Sequence, residues 1–138
     1  MISISNWIIF QYRVVASGFS WNVSYDDYKD GFGSSDSENF WMGLERLHIL
    51  TTSGNYRLRL EWQEPITHYW FSTEYWIFYI DDEAAKWQLH VTGYVHGDDG
   101  RAMYVLNSFH VTCTKTFAIN TEQEGKENTE TEGHKMGE

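Results

Sequence analysis

Between Tyr56 and Trp62 every second residue is apolar: Tyr56, Leu58, Leu60 and Trp62 fall on one side, Arg57, Arg59 and Glu61 on the other. A period of two is that of an antiparallel strand with one buried face. Trp7-Ile8-Ile9-Phe10-Gln11-Tyr12-Arg13-Val14-Val15 is β-branched, aromatic and too short for a good helix, so it also reads as a strand. His68 to Ile80 is a long extended run, and Trp87 to Tyr94 alternates again. Ser53-Gly54-Asn55 and Gly97-Asp98-Asp99-Gly100 supply turns. Two short helices fit between the strands. Ser24 caps one that contains Tyr25, Tyr28 and Lys29 and ends at Gly31 and Gly33. Leu44, Leu47, His48 and Ile49 stand at helical spacing after Gly43. The pattern predicts an α+β fold, an antiparallel β-sheet with two short helices near Asp26 and Leu47 packed against it.

Composition narrows the class. The 138 residues suit one domain, and 24 aromatic side chains supply ample apolar area for a core. No stretch approaches the roughly 18 uncharged apolar residues that a membrane-spanning helix needs, and the reading is of no membrane insertion. A net charge of −10 has the wrong sign for nucleic acid or anionic lipid. The single cysteine, Cys113, excludes a disulfide scaffold and thiolate zinc clusters. Met1-Ile2-Ser3-Ile4-Ser5-Asn6 shows no signal-peptide pattern. Residues from Thr121 to Glu138 hold six Glu and two Lys with no aromatic or β-branched aliphatic residue, and carry −4 of the −10. Such a segment buries too little apolar surface to offset its ordering entropy. The expected division is a folded part over 1–117 and an acidic, disordered tail over 118–138; solvated disorder is preferred to a grip on a basic partner.

More specific than any periodicity are four local patterns: Tyr25-Asp26-Asp27-Tyr28-Lys29-Asp30-Gly31-Phe32-Gly33, Glu38-Asn39-Phe40-Trp41-Met42-Gly43-Leu44-Glu45, His48-Ile49-Leu50-Thr51 and Gly54-Asn55-Tyr56-Arg57-Leu58-Arg59. In this order and spacing they resemble the fibrinogen C-terminal domain, whose members show W-x-x-Y-K-x-G-F-G, E-F-W-L-G-x-x-x-I-H-x-L-T and G-x-Y-x-L-R-V. Glu74-Tyr75 with Phe78, Asp82-Glu83-Ala84, and Trp87 to Tyr94 are similar to the family's E-Y-x-x-F, D-E-A and Y-x-L-H-V-x-G-Y. Trp7 to Arg13 resembles its opening G-W-T-V-I-Q-R-R, and Asn107 to Thr112 its N-G-x-x-F-S/T segment. Tenascins, ficolins, angiopoietin-like and fibrinogen-like proteins carry such domains.

The resemblance implies departures too. The chain ends short of a full family domain. It lacks the C-terminal third with its calcium loop, disulfide, Trp-Trp-Tyr stretch, Asn-Leu-Asn-Gly motif and ligand pocket. Aligned from Asn107, Lys115 and Phe117 stand where the family has two calcium-ligating aspartates. Calcium takes oxygen ligands, so the expectation is that the calcium site is lost and no cofactor is bound.

Other candidates compete with plainer readings. His48, His68, His90, His96 and His110 invite a metal, yet only His90 and His96 are close in sequence, and a spacing of six suits no zinc motif. Asp81-Asp82-Glu83 and Asp98-Asp99 could coordinate or act as acid and base, but both lie at turns. Tyr69, Trp70, Phe71, Tyr75, Trp76, Phe78 and Tyr79 could stack on a sugar or partner; core packing is the preferred fate for most. Asn22-Val23-Ser24 is an N-glycosylation sequon that counts if the chain is secreted.

No catalytic residue set stands out, so the expected function is that of a non-enzymatic, extracellular recognition module. By resemblance it binds a protein receptor, matrix protein or glycan, with self-association through exposed aromatics. Two rivals stay open: a small β-sheet hydrolase using Glu61, Glu64 or Glu74 as paired carboxylates, and an incomplete gene product without independent function.

Overall fold

The alternating segments settle into one antiparallel sheet in the computed structural model, which describes residues 2–4, 6–14, 17–34, 38–97 and 114–121. Its strands are β1 (Ile2–Ile4), β2 (Trp7–Arg13), β3 (Phe32–Gly33), β4 (Asn39–Trp41), β5 (Tyr56–Gln63), β6 (Trp70–Ile80), β7 (Leu89–Gly97) and β8 (Thr114–Thr121). Helix α1 covers Tyr25–Asp30 and α2 covers Leu44–Thr52. Across the sheet the order is β3-β4-β2-β8-β5-β6-β7, with β1 beside the first half of β2.

Strand β5 buries Tyr56, Leu58 and Leu60, as its alternation predicts, and turns Arg57, Arg59 and Glu61 to the other face. With Phe10 of β2, Phe78 and Ile80 of β6 and Leu47 of α2 they make the core. Phe10 and Phe78 stack with ring centres 5.4 Å apart. Each such side chain contributes about 1.5–3 kcal/mol by leaving water. Thr51, fully buried, fixes α2 on the sheet: its hydroxyl donates to the Leu47 carbonyl and accepts from the Ile80 amide, at 2.8 and 3.3 Å. Helix α1 is held by a capping box between Ser24 and Asp27. The two helices meet where Gly43 has φ 99° and a Cβ would lie 2.6 Å from the Asp30 carbonyl carbon.

Three boundaries shift. The run expected from His68 begins as a strand only at Trp70, because His68 has φ 61° and belongs to the turn before β6. The strand expected from Trp87 begins at Leu89, since Lys86 and Trp87 also take positive φ to close the turn between β6 and β7. The division drawn between 117 and 118 falls inside β8. Ala118 pairs with Ile9 on one side and Arg59 on the other, and the ladder runs on to Thr121 opposite Tyr56. Thr116, Phe117 and Ile119 are strand formers, whereas glutamates begin only at Glu122. The rest of the acidic tail lies outside the described residues.

Candidate functional site

Of the three carboxylates proposed for hydrolysis, the sheet brings two together. Glu74 stands opposite Arg59 in the β5–β6 register, and Glu61 lies two residues along β5 on the same face. Arg59 sits between them, with Nε 2.6 Å from Glu61 Oε1 and Nη1 2.6 Å from Glu74 Oε1. Glu74 is only 5% exposed, and its second oxygen lies 3.6 Å from His96 Nε2. Partial burial works against the Arg59 charge, but the hydrogen bonds and charges of Glu61 and Glu74 outweigh it and raise the guanidinium pKa. The cluster is a clamp across two strands. A substrate oxygen between the two carboxylates would have to displace that guanidinium.

Glu64 is elsewhere. Its carboxylate turns into its own loop and accepts from the Thr67 hydroxyl and from the Thr67 and Ile66 amides, which hold it below the usual carboxylate range. This loop pushes an apolar tip outward: Ile66 is 85% exposed and Trp70 53%, with Tyr69 exposed beside them. On the sheet, Trp76 carries the Arg57 guanidinium 3.4 Å above its ring centre. On the opposite, core-facing side an apolar cleft of about 240 Å³ opens beside α2, walled by Phe10, Trp41, Leu47, Leu58, Phe78 and Trp87. Of the aromatics from Tyr69 to Tyr79, most of them expected in the core, only Tyr75 and Phe78 are buried, while Tyr69, Trp70 and Trp76 are exposed, and the exposed Ile66 was missed. Its signal was Glu64-Pro65 followed by Thr67, a turn in which an apolar residue has nowhere to fold inward.

The remaining candidates scatter. His48 Nδ1 meets the Ile80 carbonyl at 2.8 Å, and His90 stacks on Tyr79 with Nε2 2.7 Å from Asp81. His68 serves its turn through its carbonyl, which accepts from Gln63. No three metal-ligating side chains converge among the described residues. Asp82 caps the turn through the Ala85 amide. Glu83 accepts from Tyr25 and Lys29, while Tyr25 in turn accepts from the Trp87 indole, tying α1 to the β6–β7 turn. The Lys29 bond holds Glu83 below its usual range and Lys29 above its own. His110, Asp98 and Asp99 lie outside the described residues. Lys115 and Phe117, placed by alignment in a calcium loop, instead sit within β8. Lys115 pairs with Arg13 and Trp62, and Phe117 with Gln11 and Leu60. A strand paired on both sides commits its carbonyls to the ladder. Asn22 is exposed in the segment before α1.

This sheet, the two helices and the motif order can be set beside known proteins. The family model for the C-terminal globular domain of fibrinogen beta and gamma chains matches residues 3–135. The chain belongs to the fibrinogen C-terminal domain family. Ryncolin-4 of Cerberus rynchops is 33% identical over 101 residues, which are 73% of this chain and 28% of that protein. Human angiopoietin-related protein 3 is 34% identical over 94 residues, 66% of this chain and 19% of that one. Among solved structures, the fibrinogen-like globe domain of human ANGPTL2 superposes with a TM-score of 0.62 at 31% identity, over 68% of this chain and 42% of that one. Lamprey fibrin D-dimer, complexed with the peptide Gly-His-Arg-Pro-amide, gives 0.63 at 28% identity, over 72% and 31%. The chain thus spans under a third of the curated relatives' length.

Proposed function

We propose that this fibrinogen-like domain acts outside the cell as a recognition module for a protein receptor, matrix protein or glycan, without catalysis of its own. One observation carries the reading: the loop before β6 turns Ile66, Tyr69 and Trp70 into solvent as one apolar tip, while its carboxylate, Glu64, is tied back into the loop. Exposed aromatic and apolar side chains offer large contact area to a partner. Glu61 and Glu74 are engaged by Arg59 and Glu64 by its loop, which counts against their use as an acid–base pair. The peptide held by lamprey fibrin fits recognition of this kind.

The test is surface plasmon resonance of the full chain against panels of matrix proteins and glycans. Saturable binding weakened about tenfold or more by Trp70→Ala supports the reading. Hydrolysis of nitrophenyl glycosides that falls at least about 100-fold in Glu61→Gln or Glu74→Gln overturns it.

Residues 115 and 117 form no calcium site in this proposal. Calorimetry is expected to show at most millimolar, non-specific association with calcium. A one-to-one site tighter than roughly 100 μM, lost on deletion of residues 114–124, would show a rebuilt loop.

A further inference from the structure

Asn22-Val23-Ser24 is the sequence's single N-glycosylation sequon. Asn22 stands exposed in an irregular segment, and its backbone amide, not its carboxamide, makes the local bond, donating to Ser20 Oγ at 3.3 Å. The two ends of the sequon are pinned. Just before it, the Trp21 carbonyl accepts from the Tyr28 hydroxyl. At its far end, Ser24 Oγ donates to Asp27 Oδ2 at 2.7 Å and accepts from the Asp27 amide at 3.1 Å. The hydroxyl that defines the acceptor tripeptide is therefore consumed as the helix cap of α1.

We infer that Asn22 is an N-linked glycosylation site which accepts its glycan preferentially before α1 forms, because in the folded chain Asp27 holds the Ser24 hydroxyl that the transferase must recognise. The donor is a lipid pyrophosphate-linked oligosaccharide. A bond forms between Asn22 Nδ2 and the sugar C1, the C1–O bond to the lipid pyrophosphate breaks, Nδ2 gives up a proton, and lipid pyrophosphate leaves. The inference rests on the extracellular reading, since this transfer belongs to the secretory route.

Two measurements decide it. The full chain is sent through the secretory route behind an added leader, and both cell lysate and medium are analysed by mass spectrometry with and without peptide N-glycosidase. One glycan, absent from Asn22→Gln and retained in Ser24→Thr, is the expected result. Chain recovered from the medium bare overturns the site but leaves the extracellular reading standing; bare chain retained in the lysate overturns both. Second, purified oligosaccharyltransferase and lipid-linked oligosaccharide are given the folded, unglycosylated chain. A helix cap holds its competent, uncapped state down by a modest factor, so Asp27→Ala is expected to raise the initial rate about 2- to 30-fold. Equal rates on the folded parent and Asp27→Ala overturn the ordering of glycosylation before folding.

Discussion

Arg59 has to stay charged for the outer face of the sheet to hold, because Glu74 beneath it is almost wholly out of water. Arg59→Leu strands that carboxylate and is expected to cost about 1–3 kcal/mol, the lower end reflecting Arg59's own partial exposure. Arg59→Leu with Glu74→Leu removes both charges and recovers most of the loss, since a buried pair is often replaceable by apolar side chains. A urea-melt double-mutant cycle measures the coupling; additive losses would mean that the clamp is ornamental. The exposed pairs act through pH instead. Glu64 and Glu83 titrate below their unfolded values, so their support is complete above about pH 4.3 and fades as pH falls through the folded values. Lys29 titrates above its unfolded value, so its support is complete below about pH 10.4 and is lost as pH rises past that. Glu64→Gln should flatten only the acid limb of the melting temperature against pH, whereas Glu83→Gln should flatten the alkaline limb as well. An unchanged alkaline limb in Glu83→Gln would deny the pairing with Lys29.

At the scale of elements, α2 is attached by Leu47 and Thr51, and each can be removed separately. Leu47→Ala empties a core site and is expected to cost about 2–5 kcal/mol. Thr51→Val keeps the volume but strips the Ile80 amide of its acceptor, for about 1–2 kcal/mol by chemical denaturation. A neutral Thr51→Val would mean that the helix is placed by apolar contact alone. The attachments also show what the chain reveals of itself before it folds. Strand β5 and both helices were legible because their periodicity and caps are local: Leu58 and Leu60 alternate, and Ser24 stands ahead of Tyr25. The short strands β3 and β4 were not, because pairs such as Phe32 with Trp41 exist only once the chain turns back on itself. Strand β8 hid for the same reason. It pairs with β2 and β5, more than 50 residues earlier, and its end abuts the glutamates that dominate a compositional reading. At the candidate site the aromatics were visible as a run. The grip of Arg59 on both Glu61 and Glu74, however, needed the register of β5 on β6.

Charge and apolar surface oppose each other over the whole molecule. Ile66, Tyr69, Trp70, Trp76, Ile77, Leu89 and Tyr94 are all exposed, along one loop and the β6–β7 side of the sheet. Among the described residues no strand pairs with the outer edge of β7, whose Leu89–Gly97 stretch contains neither lysine nor proline to blunt it. Such surface favours association between copies. The net charge of −10 resists it, and that resistance reaches only about as far as the Debye length, roughly 10 Å at 0.1 M salt and 3 Å at 1 M. Raising salt therefore removes the opposing term while leaving the apolar attraction intact. Lowering pH toward the isoelectric point near 4.9 does the same by bringing the net charge toward zero. Sedimentation velocity on the full chain at neutral pH should show the weight-average mass rising between 20 mM and 1 M sodium chloride, accompanied by hydrophobic-dye fluorescence at both salts. Ile66→Ser with Trp70→Ser should lower the dye signal, and Thr92→Lys at an exposed position of the edge strand should suppress the salt-driven growth. A monomer at every salt concentration, with no dye signal and a cooperative melt above about 65 °C, would mean that the apolar surface is already covered.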